Sequence, residues 1–240
     1  MSQVSLSLLL PTRGRLSSVL RLFESIRQTV SNSADIEVVL FMDEDDHESR
    51  GLVWDRFHTS TIIGKPGTPM GRMTNACFEA SHGRYVMLLN DDVQFRTPGW
   101  DRRVHEAFEK FPDGIALVYG NDQDQAAAVP TFPILSRRCC QVLGKICPLS
   151  YRNLHIDAHL HDIFRRLRRR GYDRIIYLPD VIFEHLHHTI GKSLPDGTSQ
   201  KRDPGYDDLL FISFESDRRF AAERLIQGIE AYRAAMVQPV

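Results

Sequence analysis

An unbroken apolar run that ends in acid is the feature that most constrains this chain. The stretch Gly83–Asp92 has the order Gly-Arg-Tyr-Val-Met-Leu-Leu-Asn-Asp-Asp. A short apolar run bounded by turn residues is typical of a strand buried on both faces of a parallel sheet. Ligands bind at the C-terminal ends of such strands, where neighbouring carboxylates suit a hard divalent cation. An Asx turn or a helix cap would also explain Asn-Asp-Asp, and the stretch alone does not decide between the two interpretations.

The composition predicts a protein with one sizeable core and no membrane insertion. Of 240 residues, 42% are hydrophobic, and 30 basic residues nearly cancel 31 acidic ones. This balance argues against a nucleic-acid coat or a membrane surface as partner. The apolar runs are too short to span a bilayer, and the N-terminus has no basic leader typical of a signal peptide. The four cysteines form no C-x-x-C pair, so we expect reduced thiols and a cytoplasmic protein.

Strands and helices alternate in the first part of the chain. Apolar runs predict strands at 5–10, 36–42, 61–63 and 83–89. Helical periodicity follows Leu16 and Met70. This alternation predicts a parallel sheet with right-handed crossovers. The chain has neither G-x-G-x-x-G nor G-x-x-x-x-G-K-[ST], which disfavours a dinucleotide site and a P-loop.

The pattern is looser after Asp92. Helices are predicted at 98–111, 138–143, 156–170 and 215–236, and short strands at 115–119, 131–135, 175–178 and 181–183. The glycines and prolines of 191–206 predict a flexible segment. We therefore expect an α/β fold: one Rossmann-like α/β/α sandwich with a mostly parallel central sheet and a smaller antiparallel part. No break in composition requires a second domain over 1–240.

Four polar clusters follow the predicted strands or begin helices. They are Pro11-Thr12-Arg13 with Arg15, then Asp43, then Gly71-Arg72 with Asn75, and Asn90-Asp91-Asp92. One sheet would bring these loops to a single crevice. An acid after the second strand can accept hydrogen bonds from a ribose or a base edge. Arginine and the amides of a helix N-terminus suit a pyrophosphate.

The order of these motifs resembles the family-2 glycosyltransferases of GT-A fold. The matching residues are Leu-Leu-Pro-Thr-Arg-Gly-Arg, the acidic end of strand two, Gly71-x-x-x-Asn75, Ala80-x-x-Gly83-Arg84-Tyr85 and Asn90-Asp91-Asp92. Asn90-Asp91-Asp92 stands where the family has its D-x-D motif, with Asn90 in place of the first acid. The resemblance continues through Ile156-Asp157 and Phe183-Glu184-His185-Leu186-His187.

The resemblance implies a nucleotide-diphosphate sugar donor, a UDP-sugar first and a GDP-sugar second, with Mn²⁺ or Mg²⁺. It implies that Asp92 and a histidine, His185 or then His187, hold the metal, and that Asp157 is the general base of an inverting transfer. Donor or phosphate contacts are expected from Pro11, Thr12, Arg13, Arg15, Asp43, Arg72, Asn75, Asn90, Asp91 and Lys192. It also implies a division of the single domain into a nucleotide-sugar half (1–95), an acceptor and metal half (96–207) and a C-terminal helix (208–240).

Three other interpretations stay open at this point. A zinc-dependent hydrolase would use His155 and His159, spaced i, i+4, with His185, although the chain has no H-E-x-x-H. A nucleotidyltransferase of the same fold would need a glycine-rich loop with a lysine after strand one, which is missing here. A catalytically inactive GT-A domain would serve as a binding module.

The sequence leaves the acceptor open. A saccharide, another small hydroxyl compound and a modified DNA base all remain candidates. The arginine run at 165–170 makes an anionic acceptor conceivable, but the neutral overall charge argues against tight duplex binding.

Overall fold

The structure is a computed structural model that describes residues 4–50, 57–186 and 204–237. Its strands are β1 (Leu6–Thr12), β2 (Ile36–Asp43), β3 (His58–Gly64), β4 (Tyr85–Leu88), β5 (Val93–Phe95), β6 (Leu117–Asn121), β7 (Ile134–Ser136) and β8 (Ile175–His185). Its helices are α1 (Leu16–Thr29), α2 (His47–Arg50), α3 (Met70–Ala80), α4 (Trp100–Glu109), α5 (Arg137–Leu143), α6 (Ile156–Arg169), α7 (Pro204–Ser213) and α8 (Glu215–Val237), with a 3₁₀ turn at Ser33–Asp35.

The strands form one eight-stranded sheet in the order β3-β2-β1-β4-β7-β6-β8-β5. The β2–β3, β1–β2, β1–β4 and β6–β8 pairs are parallel, whereas β7 runs antiparallel to β4 and β6, and β5 runs antiparallel to β8. The predicted mostly parallel sheet with a smaller antiparallel part is therefore confirmed. The carboxyl ends of β1, β2 and β4 meet at one edge of the sheet, as the polar clusters required.

Helices cover both faces of the sheet. On one face, alternate residues of β1 (Leu6, Leu8 and Leu10) pack with the apolar sides of α1 and α4. On the other face, Leu9 belongs to a second core with residues of α3, α5, α6 and α8. Alternation along a strand sends successive side chains to opposite faces, so the leucine run of β1 supplies both cores. The four cysteines are free and buried in the second core.

Two predicted strands, 175–178 and 181–183, form one continuous strand. β8 pairs with β6 up to Leu178 and again at Ile182, with a register shift opposite Gly120 and Asn121. Its last residues then pair with β5. Pro179 is exposed in the interval between the two segments of β8 that pair with β6, where its missing N–H removes no ladder hydrogen bond. The sequence prediction of a break at Pro179 was wrong for this reason.

Two further differences concern short elements. The structure has a strand, β5, directly after Asn90-Asp91-Asp92, which the sequence pattern did not predict. Residues 204–206, placed by sequence in a flexible segment, begin α7, and the preceding part of that segment lies outside the described residues. No helix in the described ranges is both long and apolar enough to cross a bilayer.

A buried ion pair joins the start of β8 to the turn before β6. Arg174 donates to both carboxylate oxygens of Asp113 at 2.8 and 2.9 Å and to the carbonyl of Ile115, and its guanidinium lies 4.7 Å from the Phe111 ring. Both side chains are buried. Removing one partner of such a pair leaves a buried charge without compensation.

We expect Asp113→Ala to lower the free energy of unfolding by about 3–5 kcal/mol, since Arg174 then stays buried as an unpaired cation. Urea unfolding followed by circular dichroism measures this decrease. The control is Arg103→Ala, which removes an exposed pair with Asp180 and should cost no more than about 1 kcal/mol. Equal decreases in the two variants would contradict the argument.

Glu37 ties β2 to the entrance of β4. Its buried carboxylate accepts hydrogen bonds from the Ser7 hydroxyl at 2.5 Å and from the His82 amide at 2.8 Å, and its other oxygen lies 2.9 Å from His82 Nδ1. Burial acts to raise the pKa of Glu37, but the hydrogen bonds from His82 and Ser7 outweigh it, and the net pKa is lowered. Because a lowered pKa favours the ionised folded state, this carboxylate stabilises the fold above about pH 4.3.

That stabilisation should disappear as pH falls through the lowered pKa of Glu37. Glu37→Gln removes the titrating group, so its free energy of unfolding should fall less than that of the wild type between about pH 7 and pH 3.5. Glu79→Gln, on the exposed side of α3, is the control and should keep the wild-type pH dependence. An unchanged acid response in Glu37→Gln would refute this role of the carboxylate.

Candidate active site

Asp91 is anchored at the edge where β1 and β4 end. Its carboxylate accepts a hydrogen bond from the Thr12 hydroxyl at 2.7 Å and from Arg15 Nη1 at 2.8 Å. The side chain is 4% exposed, and burial raises the pKa of Asp91 above its usual value although Arg15 and Thr12 favour the ionised form. The Asp91 carboxylate therefore joins the end of β4 to the end of β1 and the residues that follow it.

Asp43 lies at the end of β2 and is also buried. One of its oxygens is paired with the Arg13 guanidinium, which also donates to Asp45 at 3.0 Å. Its other oxygen, Oδ1, is buried and accepts no hydrogen bond from the described residues. Burial raises the pKa of Asp43, with Arg13 acting in the opposite direction. A buried acceptor that lacks a donor is a place for a ligand N–H or hydroxyl.

Asp92 and His185 face each other across the β5–β8 pair. The Asp92 Oδ1 and His185 Nε2 atoms are 3.4 Å apart. Their positions follow from the register, because Val93 pairs with His185, and the Leu186 amide donates to the Asp92 carbonyl at 2.7 Å. Arg15 Nη1 lies 4.0 Å from the other Asp92 oxygen.

Asp157 is in the first turn of α6, directly after a loop held by α7. The buried carboxylate of Asp207 accepts hydrogen bonds from three successive loop amides, those of Arg152, Asn153 and Leu154, at 2.8–2.9 Å. His155 then adopts a left-handed conformation with φ 68° and lies 2.6 Å from an oxygen of Asp208. Burial raises the pKa of the Asp157 carboxyl.

These groups line two cavities that meet at Pro11, Met70, Asn90 and Asn153. The first cavity, about 200 Å³, is lined by seven further site residues: Thr12, Arg13, Arg15, Asp43, Asp91, Asp92 and Arg152. The second, about 310 Å³, is lined by Asp124, Gln125, His155, Asp157 and His185 among others. We call them the β-edge cavity and the α6 cavity. The β-edge cavity therefore combines three arginines with three aspartates, whereas the α6 cavity combines aspartates with histidines.

The remaining predicted site residues lie elsewhere or outside the described residues. Arg72 is exposed and lines a separate depression with Lys145 and Arg152. Asn75 is buried, donating to the carbonyls of Gly71 and Cys147 and accepting from the Ile146 amide. His187 and Lys192 fall outside the described ranges.

Three acids at the site, Asp122, Asp124 and Asp207, were not among the predicted site residues. Ligand atoms of Asp122, Asp124 and His185 all lie within 4.8 Å of one another. The Asp122 carboxylate is already bonded to the amides of Asp124 and Ala126 and to the Thr131 hydroxyl, so it fixes the loop between β6 and β7. Asp124 is exposed on that loop. The sequence pattern indicated only a polar loop around Asp122 and Asp124, whose contacts are local. It gave no signal for Asp207, because its hydrogen-bond partners lie more than fifty residues away.

The zinc-site hypothesis joined His155, His159 and His185, and the geometry separates them. His159 is buried, with its Nδ1 3.1 Å from the Tyr151 hydroxyl, and it lines a different cavity from the other two. Burial, followed by repulsion from Arg218, lowers the pKa of His159 to about 3. Within the described residues, these three rings do not form a group of converging ligands.

Comparison with known proteins supports the fold. No family model matches the sequence, and no curated protein matches it. Among solved structures, the mannosyltransferase PcManGT from Pyrobaculum calidifontis, in complex with GDP-Man and Mn²⁺, superimposes with a TM-score of 0.59 at 14% identity. That match covers 100% of this chain and 77% of PcManGT.

S. aureus TarS gives a similar match. TarS superimposes with a TM-score of 0.57 at 13% identity, and the match covers 75% of this chain. It spans only 36% of the length of TarS. A shorter TarS in complex with UDP-GlcNAc gives 0.57 at 12% identity and covers 90% of this chain and 73% of that one. The chain thus has an α/β fold of the GT-A, Rossmann-like type, shared with solved glycosyltransferases that bind nucleotide sugars.

Proposed function

We propose that this protein is a glycosyltransferase that moves a sugar from a nucleotide-diphosphate sugar to an acceptor hydroxyl. The observation that carries the proposal is the meeting of two compartments at one sheet edge. Buried acids and arginines line the β-edge cavity, and Asp157 lines the adjoining α6 cavity. PcManGT and TarS, which share the fold, bind GDP-Man and UDP-GlcNAc respectively, and this agreement supports the same class of donor.

The β-edge cavity suits the nucleotide part of the donor. The free oxygen of Asp43 can accept a hydrogen bond from a ribose hydroxyl or a base N–H. Arg13, Arg15 and Arg152 bring positive charge to the same cavity, and arginine matches the geometry of phosphate oxygens. A UDP-sugar remains our first expectation, and a GDP-sugar the second.

Asp92 and His185 fit a divalent cation, Mn²⁺ or Mg²⁺. The Asp92 carboxylate oxygen and the His185 imidazole nitrogen are 3.4 Å apart, close enough that both would serve as ligands of one such ion. Held there, the ion would neutralise charge on the diphosphate leaving group. His187, which lies outside the described residues, remains the alternative to His185 as the histidine ligand.

Asp157 is proposed as the general base. Its carboxylate would take the proton of the acceptor hydroxyl while that oxygen bonds to the anomeric carbon, and the bond from this carbon to the diphosphate breaks. A single displacement of this kind inverts the anomeric configuration. The raised pKa of Asp157 makes its carboxylate a stronger base than an exposed aspartate.

Binding of donor should stabilise the protein by linkage, by about 2.7 kcal/mol at a hundredfold excess over Kd. We expect UDP-sugars or GDP-sugars with Mn²⁺ to raise the melting temperature. Asp92→Asn should remove the metal-dependent part of the shift, because one metal ligand loses its charge. Asp180→Asn, an exposed acid outside both cavities, is the control. If no nucleotide sugar with any metal changes the melting temperature of the wild type, the proposal is wrong.

Removal of the base should separate transfer from donor binding. Asp157→Asn should slow transfer about 10²–10⁴-fold, the usual range for a general base, while the donor-induced melting shift remains. Release of nucleotide diphosphate in the presence of a panel of hydroxyl acceptors measures transfer. Wild-type turnover in Asp157→Asn would refute the assignment. A protein that binds donor but shows no transfer with any acceptor would favour the inactive binding module.

A further inference from the structure

One face of α6 carries a row of polar side chains that begins at the proposed base. Asp157, His161, Arg165 and Arg168 follow one another at intervals of four, four and three residues. At about 3.6 residues per turn, these positions project within roughly 80° of one another around the helix axis. With a rise of about 1.5 Å per residue, Arg165 and Arg168 lie roughly 12 and 16 Å along the axis from Asp157.

The distal part of this row lines a groove. A cavity of about 350 Å³ is bounded by His161, Arg165 and Arg168 of α6, by Tyr119 and Tyr177 of neighbouring strands, and by Ala127 and Ala128 of the β6–β7 loop. We call it the arginine groove. The same helix and the same loop also line the α6 cavity, through Asp157, Asp124 and Gln125. The two cavities thus lie along the same helix and are bounded by successive parts of the same loop.

The walls of the groove are ordered by specific contacts. The Tyr119 hydroxyl donates to the Ala127 carbonyl at 2.9 Å, which fixes the loop over the strand. The rings of Tyr119 and Tyr177 have centroids 5.2 Å apart at an interplanar angle of 37°. Tyr177 is only half-buried, so it offers the groove an aromatic edge and a hydroxyl.

The groove has an excess of positive charge. Arg165 is exposed, and among the described residues no carboxylate forms an ion pair with it. Arg168 is paired with Asp173 at 3.0 Å, where both side chains are more than half exposed. Burial and the charges of Arg165 and Arg168 lower the pKa of His161. Exposed guanidinium groups in a concave wall attract phosphate.

We propose that the arginine groove binds a phosphate of the acceptor, so that the substrate is a phosphate-bearing saccharide or polyol chain. This inference rests on the proposed function, since it places the reacting hydroxyl at Asp157. A phosphate about 12–16 Å from that hydroxyl along α6 meets Arg165 and Arg168, and a chain of linked sugar or polyol units can span this separation. Tyr177 lines the same groove as these two arginines and would lie beside the bound ligand.

A nucleic acid is the competing polyanion. The overall charge of −1 does not favour it, because strong binding to nucleic acid needs many basic contacts over a broad surface. Two arginines and one aromatic edge in a short groove suit a few phosphates rather than a duplex backbone.

The test measures binding of a fluorescently labelled hexamer of glycerol phosphate by anisotropy. UDP, GDP and Mn²⁺ are present in excess to fill the β-edge cavity. The variant is Arg165→Ala/Arg168→Ala. The matched control is Arg21→Ala/Arg169→Ala, which removes two exposed arginines that do not line the groove. Maltohexaose and single-stranded DNA of six nucleotides compete as neutral and nucleic-acid chains.

We expect the groove variant to weaken binding about tenfold. The slope of log Kd against the logarithm of the salt concentration should also fall by roughly 1.4. Each arginine that no longer binds a phosphate of a flexible chain lowers this slope by about 0.7. The control should bind like the wild type, and maltohexaose should not compete. An NMR shift of the His161 ring on addition of the hexamer would place the ligand in the groove. Equal weakening in both double variants, or no binding by the wild type, overturns the proposal.

Stronger binding of DNA than of glycerol phosphate, abolished in the groove variant, would overturn the saccharide or polyol assignment in favour of a nucleic-acid acceptor. The donor-induced melting shift keeps this test separate from the proposed function. A groove variant that retains the shift but no longer binds the hexamer supports the acceptor site. If the wild type binds the hexamer but no nucleotide sugar changes its melting temperature, the glycosyltransferase proposal is contradicted. The anion-binding site is then still supported.

Discussion

The contact of Asp91 with Thr12 and Arg15 is the interaction on which the site depends. It joins the ends of β1 and β4, adjacent parallel strands, through a buried carboxylate. Burying an ionised carboxylate in this position has a desolvation cost of several kcal/mol. Only good geometry and additional hydrogen bonds offset that cost. Asp91 and Asp92 form the turn between β4 and β5. With Asp91 fixed inward, the hydrogen bond from the Leu186 amide to the Asp92 carbonyl holds Asp92 beside His185.

The distance between Asp92 and His185 is set by backbone pairing rather than by the two side chains. The β5–β8 ladder places Val93 opposite His185, and a slip of one residue would bring Glu184 to this position and turn the histidine to the other face. The bulge beside Gly120 supports the register, because β8 pairs with β6 again at Ile182 after the shift. A Cβ at Gly120 would lie 2.5 Å from the Val181 carbonyl, so the close crossing requires glycine.

Local pattern was sufficient to predict the strands of the first half and the acids at their ends. Apolar runs such as that of β4 are buried on both faces, and their polar C-terminal residues meet at one edge for purely topological reasons. The insertion of β7 between β4 and β6, and the role of Asp207, could not be predicted in this way. Each depends on pairing between segments far apart in sequence, and neither Ile134–Ser136 nor the start of α7 has a pattern that specifies its partner.

Through the three amides that Asp207 binds, α7 supports the loop that lines the candidate site. The carboxylate acts as an external cap for the turn that leads into α6, and it lies more than fifty residues further along the chain than the amides it binds. A nascent chain in which all eight strands but not α7 have been synthesised therefore lacks Asp207, the residue that holds the loop before Asp157. The α6 cavity would then take its final form late in synthesis, after the strands that end at the β-edge cavity have emerged.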